Sequence, residues 1–128
     1  MCGIIGVLSG DFKESLKRSD WFNQALYTDA LRGWDSTGIF AVAQNHHIDI
    51  FKKGMTASDF MDMKPYNTIL NKYNQNDFLI GHNCKATKGR GTHHNAHPIN
   101  YDDSNMVNHG TLCNHQTLPD GNHFFEIC

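Results

Sequence analysis

Two short β-favouring runs lie almost back to back near the middle of the chain, and they limit the fold more than any other feature. Residues 37–43 carry Ile39, Phe40 and Val42, residues 47–53 carry Ile48, Ile50 and Phe51, and only Gln44-Asn45-His46 separates them. So short a connection joins antiparallel neighbours, because parallel strands need a crossover of a dozen or more residues. This argues against a purely parallel βαβ series, and the natural class is α+β. Residues 2–8 read as a buried strand ended by Ser9-Gly10. Residues 11–31 read as a helix with a stripe of Leu16, Phe22, Ala25, Leu26 and Ala30, stopped by Gly33. Residues 58–73 read as two helical pieces with a boundary near Lys64, since the residue before Pro65 resists the helical region. A strand at 78–83 precedes a polar stretch at 85–100, long enough for a functional loop. Then come a short strand at 106–108, a turn at Gly110, a small helix at 114–118, a turn at 119–121 and a last strand through Phe124, Phe125 and Ile127. The chain stops inside that strand, so residues 1–128 are read as a single, shortened domain.

The length allows one modest core. Eleven Lys and Arg against thirteen Asp and Glu give a net charge of −2. The basic residues are scattered, apart from a short stretch at 85–90, so no nucleic-acid face is expected. No apolar run approaches the ~20 residues that cross a bilayer, and no secretory signal pattern is present. No membrane association is therefore expected, and a cytoplasmic location follows. There the four cysteines at 2, 84, 113 and 128 would be reduced. Nine histidines are many for this length. His82, His93, His94, His97, His109 and His115, with Cys84 and Cys113, are raw material for zinc, but they follow no regular ligand spacing. They are read as polar loop histidines; no metal and no cofactor is expected.

The chain opens Met1-Cys2-Gly3-Ile4-Ile5-Gly6. On position alone Cys2 is a small apolar residue starting a strand. If Met1 is trimmed, Cys2 carries a thiol and a free α-amine on one residue. An α-amine titrates near neutrality and can take the thiol proton, giving a nucleophile with its own base.

Three further segments follow in order: Leu31-Arg32-Gly33-Trp34-Asp35-Ser36-Thr37-Gly38; Gly81-His82-Asn83-Cys84-Lys85-Ala86-Thr87-Lys88-Gly89 with Asn95-Ala96-His97-Pro98; and Val107-Asn108-His109-Gly110-Thr111-Leu112. Together with the opening segment they resemble the glutaminase domain of class II glutamine amidotransferases, the N-terminal nucleophile type. The resemblance covers nearly the whole chain. It implies a four-layer αββα sandwich with Cys2 at the start of a central strand. It also implies hydrolysis of the glutamine side-chain amide to glutamate and ammonia through a cysteinyl thioester. L-Glutamine is the implied substrate, and a separate synthase or ammonia acceptor the implied partner.

The resemblance makes Cys2 the nucleophile and places Arg32 beside it. It makes Thr87 a glutamine-contacting residue and Gly110 the glycine of the oxyanion turn. Asp35 and Ser36 are read as shaping their turn. Three positions depart from the family pattern. Cys84 stands where the family has the arginine that grips the glutamine carboxylate, and a thiol cannot form that bidentate pair. Lys85 offers a point charge, but neighbours on a strand face opposite ways. Asn108-His109 reverses the family's His-Asn order, which moves an oxyanion donor by one position. The acidic residue that receives the substrate amine in the family lies beyond the strand at 124–127, and Asp120 is a poor substitute. Weak glutamine binding is the expectation. The alternative from another class is a catalytically silent relative acting as a binding or regulatory module. A histidine–cysteine metal protein ranks last, since it leaves the four ordered segments unexplained.

Overall fold

The computed structural model describes residues 2–8, 17–73, 77–86, 96–101 and 104–107. Its centre is the hairpin. Strands β2 (Ser36–Val42) and β3 (Ile48–Lys53) pair antiparallel, with Val42 opposite Ile48 and Thr37 opposite Lys53. The Ala43 N–H donates to the His47 carbonyl and the His46 N–H to the Ala43 carbonyl, each at 2.9 Å. His46 takes a left-handed φ of 64° to close this turn, a region that histidine enters more readily than most residues. Strand β4 (Phe78–Cys84) lies between β2 and β1 (Gly3–Val7), so the sheet order is β1-β4-β2-β3 with every pair antiparallel.

Strand alternation gives the sheet two different faces. On one, Val7, Ile39, Ala41 and Leu79, with the partly buried Ile5 and Phe51, pack against the helices. Helix α1 (Arg18–Asp29) contributes Phe22 and Leu26, one turn apart and both fully buried. Helix α2 (Ala57–Met61) contributes Phe60, and α3 (Lys64–Lys72) contributes Tyr66, Ile69 and Leu70. Phe60 stacks on Phe51 at 4.8 Å and meets Tyr66 edge-on at 5.5 Å. Burying each such side chain stabilises by about 1.5–3 kcal/mol. The Tyr66 hydroxyl donates to Asn23 Oδ1 at 2.5 Å, and burial raises its pKa.

The opposite face is covered by residues 96–99, all buried. Gly38 is required here, because a Cβ on it would overlap the His97 carbonyl oxygen. Lys52 Nζ donates to the Pro98 carbonyl at 2.9 Å. The chain then enters β5 (Ile99–Tyr101), which pairs antiparallel with β6 (Ser104–Met106) as a second small sheet. Among the described residues the arrangement is mixed α/β with antiparallel sheets, compatible with the expected α+β class.

Several details differ from the sequence reading. Strand β1 was expected to be central, yet among the described residues it ends the sheet order. Strand β5 begins inside the expected loop and runs one residue past it, and β6 starts two residues before the expected strand at 106–108. Both are three residues long, too short for an alternating pattern to register. The break between α2 and α3 agrees with the expected boundary: Lys64 opens α3 and Pro65 sits in its first turn, where the missing N–H has no partner to lose. Thr56 caps α2, which starts at Ala57, one residue before the expected helical stretch. Its hydroxyl oxygen accepts the Asp59 N–H at 3.4 Å and lies 2.9 Å from Asp59 Oδ2. Thr56→Ala is expected to cost about 1 kcal/mol, read as a lower midpoint in urea unfolding. The expected helix start at 11–16 and all elements from 108 onward lie outside the described residues.

Candidate active site

Continuing the β1–β4 register one step beyond Gly3 and Asn83 sets Cys2 opposite Cys84. Cys2 is 2% exposed, and its Sγ donates to Cys84 Sγ at 3.5 Å. Cys2 is a free thiol. Cys84 is disulfide-bonded, which departs from the expectation of four reduced cysteines.

The segment 32–38 holds this end of the sheet together. Arg32 closes the 3-10 turn Ala30–Arg32 after α1, and its Nε donates to the Cys2 carbonyl at 3.3 Å. At Gly33 a Cβ would overlap the Cys84 carbonyl carbon and the Lys85 nitrogen, so glycine is needed for backbone to approach backbone. The Asp35 N–H donates to the Cys84 carbonyl at 2.9 Å, and Asp35 Oδ2 accepts the Ala86 N–H at 2.8 Å. Ser36 pairs with Cys84 in the β2–β4 register. Asp35 therefore shapes its turn, as the sequence reading had it, and also fixes the exit of β4 toward residue 87. Asp35→Ala leaves the Ala86 N–H without its acceptor and is expected to cost about 1–3 kcal/mol. Denaturant unfolding checks it, and Asp35→Asn, which keeps an acceptor oxygen, should recover most of the loss.

Lys85 does not point its charge along the strand face of Cys2. Its ammonium sits 4.2 Å from the Trp34 ring centroid, a cation–π contact. Of the sequence-predicted site residues, the structure thus brings Cys2, Arg32 and Cys84 together, with Lys85 turned onto Trp34. Thr87, Asn108, His109 and Gly110 lie outside the described residues.

Two clusters went unread in the sequence. On the helix side Asn83 is fully buried. Its Nδ2 donates to the Leu26 carbonyl at 2.9 Å and to Asp29 Oδ2 at 3.1 Å, and its Oδ1 accepts from Thr37 Oγ1 at 3.0 Å. This network ties β4, β2 and the end of α1 into one frame beside Cys2. A lone asparagine in a strand gives no sequence signal of such a role. On the other face the rings of His82 and His97 stack at 4.2 Å, both buried. Burial, then the neighbouring His82 and Lys52, depress the His97 pKa to about 3. The His97 ring is therefore neutral near pH 7. Among the described residues no group of three His, Cys, Asp or Glu side chains is arranged to hold a metal.

Cys2 is thus held through its carbonyl by Arg32, with its thiol facing the end of β4. This chain is similar to glutamine–fructose-6-phosphate aminotransferases (isomerizing). It shares 32% identity over 121 residues with that of Sulfolobus acidocaldarius and 31% over 120 residues with that of Sulfurisphaera tokodaii, covering 92% of this chain in each case. With that of Synechocystis it shares 31% over 130 residues, covering 94% of this chain. The chain spans only 18–19% of the length of these curated relatives. No family model matches the chain, and no solved structure matches it significantly. The similarity runs along nearly the whole chain and so spans the Arg32 and Cys84 segments.

Proposed function

We propose that this chain is a glutaminase domain of the class II, N-terminal nucleophile type, folded as a shortened αββα sandwich over residues 1–128 and acting in the cytoplasm. It would hydrolyse the side-chain amide of L-glutamine to glutamate and ammonia, and a separate synthase or acceptor would use the ammonia. The observation that carries this reading is the buried Cys2 thiol facing Cys84, with Arg32 on the Cys2 carbonyl. It occurs in a chain whose homologues are named glutamine–fructose-6-phosphate aminotransferases. With Met1 removed, the Cys2 amine takes the thiol proton, and the thiolate attacks the amide carbon of glutamine. The C–N bond breaks as the proton passes to the leaving ammonia. Water then attacks the thioester and frees glutamate, returning the proton to the sulfur. An amide is a poor electrophile, so the developing oxyanion needs preorganised donors; residues 108–110 are proposed for that task.

The test is intact mass of the reduced protein before and after a diazoketone analogue of glutamine. Loss of Met1 and a single adduct on Cys2, absent in Cys2→Ser, is the expected result. A retained Met1, or no selective adduct, removes the reading. The second reading, a silent binding module, is favoured by Cys84 itself, which leaves the carboxylate-gripping position without a cation. Indifferent labelling of all four thiols would support it.

A further inference from the structure

We propose that Cys2 and Cys84 form a reversible disulfide that caps the N-terminal thiol. The two sulfurs are already in contact at 3.5 Å, and a bond of about 2.05 Å asks them to close by roughly 1.5 Å. The backbone is suited to it. Continuing the antiparallel β1–β4 register one step past Gly3 and Asn83 sets the two residues opposite each other; residues so opposed have Cα atoms about 4.5–5.5 Å apart, inside the range of about 4.4–6.8 Å that disulfides span. Both residues are buried, at 2% and 0% exposure. Each sulfur therefore meets the other far more often than it meets a small thiol from solvent, the usual advantage of an intramolecular partner.

The step conserves electrons. Cys84 is disulfide-bonded and Cys2 is a free thiol. The Cys2 thiolate attacks Cys84 Sγ, and the Cys2–Cys84 bond forms as the existing bond at Cys84 breaks. The electron pair leaves on the cysteine that Cys84 gives up, and that sulfur takes the proton lost from Cys2. No oxidant is consumed. Starting from the fully reduced protein, a small disulfide such as oxidised glutathione supplies the oxidation. Cys2 and Cys84 then lose two protons and two electrons between them, and two glutathione thiols are released. Either route leaves Cys2 without a thiolate, so nucleophilic chemistry stops until a reductant restores it. Only this last consequence rests on the glutaminase reading; the disulfide itself does not.

The experiment equilibrates the full chain at neutral pH in glutathione buffers from fully reduced to fully oxidised. Acid quenching, alkylation and non-reducing peptide mapping follow. The expected result is a linked pair of the Cys2 and Cys84 peptides that grows with the oxidised fraction and vanishes with dithiothreitol. Cys2 labelling by the glutamine analogue should fall in step. In Cys84→Ser, Cys2 should stay open to alkylation at every ratio. Cys2 remaining alkylatable throughout in the unaltered chain, or linking to Cys113 or Cys128 instead, overturns the proposal. If the pair maps but the reduced protein takes no glutamine-analogue adduct, the disulfide stands and the glutaminase reading fails.

Discussion

Acidification from pH 7 to pH 4 is expected to cost the native protein about 3 kcal/mol through His97 alone. His97 is fully buried, stacked on the buried His82 and near the Lys52 ammonium, which donates to Pro98. Burial is the first cause, the neighbouring His82 the second and Lys52 the third, and together they depress its pKa from 6.5 to about 3. The sign follows directly. The folded state keeps the ring neutral, whereas the unfolded chain binds a proton once the pH drops below about 6.5. Stability is therefore lost progressively between about pH 6.5 and pH 3, at about 1.4 kcal/mol per pH unit. Asp49 adds to the trend. The hydrogen bond from Lys72, the largest cause, lowers its pKa, so its contribution is also lost as pH falls. His97→Gln separates the two. The difference between unaltered and variant unfolding free energies in urea, compared at pH 7 and pH 4, should shift by about 3 kcal/mol. Equal losses in both proteins would mean that His97 does not carry the effect.

That histidine also marks the boundary of what the sequence made legible. Elements with a local signature were readable: the β2–β3 hairpin, β1, β4, the body of α1 and the break before Pro65 all follow from periodicity, turn residues or proline stereochemistry. The stretch 85–100 has few apolar residues and so reads as a loop, yet His97 and Pro98 are buried in it as cover for the sheet. No hydrophobic pattern announces a buried imidazole. The two glycines of the segment 32–38 were visible as a motif, but their reason was not. Gly33 clears the backbone of Cys84 and Lys85, and Gly38 clears the His97 carbonyl, contacts set by strand order and not by local sequence. Strand order itself has no local code: β4 pairs with β1 and separates it from β2, although residues 8–77 lie between β1 and β4 in the chain.

Cys84→Arg is expected to raise kcat/KM for glutamine about 10- to 100-fold. Side chain 84 shares the sheet face of the Cys2 thiol, with the two sulfurs 3.5 Å apart. On the glutaminase reading proposed above, an arginine there carries a planar guanidinium past Cys2 to the place where a bound α-carboxylate would lie. Charge-assisted hydrogen bonds of this kind contribute about 1.5–3 kcal/mol, which converts to the stated factor at about 1.4 kcal/mol per tenfold. The position is fully buried in the present chain, so the arginine stem must follow the sheet face while its head leaves the interior, as long cationic side chains do. The gain should fall mostly on KM, because the carboxylate is far from the reacting bond and is held equally in ground and transition states. Assays in dithiothreitol keep Cys2 reduced in both proteins. No gain would mean that residue 84 does not face the substrate carboxylate and would turn attention to Arg32.

The ties that build the site differ from those of the helices in one respect: they connect distant parts of the chain. Arg32 reaches back 30 residues to Cys2, Ala86 reaches back 51 to Asp35, and Cys84 meets Cys2 across 82. Contacts of such separation carry a loop-closure cost and form late in folding. During synthesis the first residues leave the ribosome long before β4 exists to receive them. The segment around residue 2 thus spends that interval open to solvent, and the same strand that completes the sheet ends it by burying Cys2.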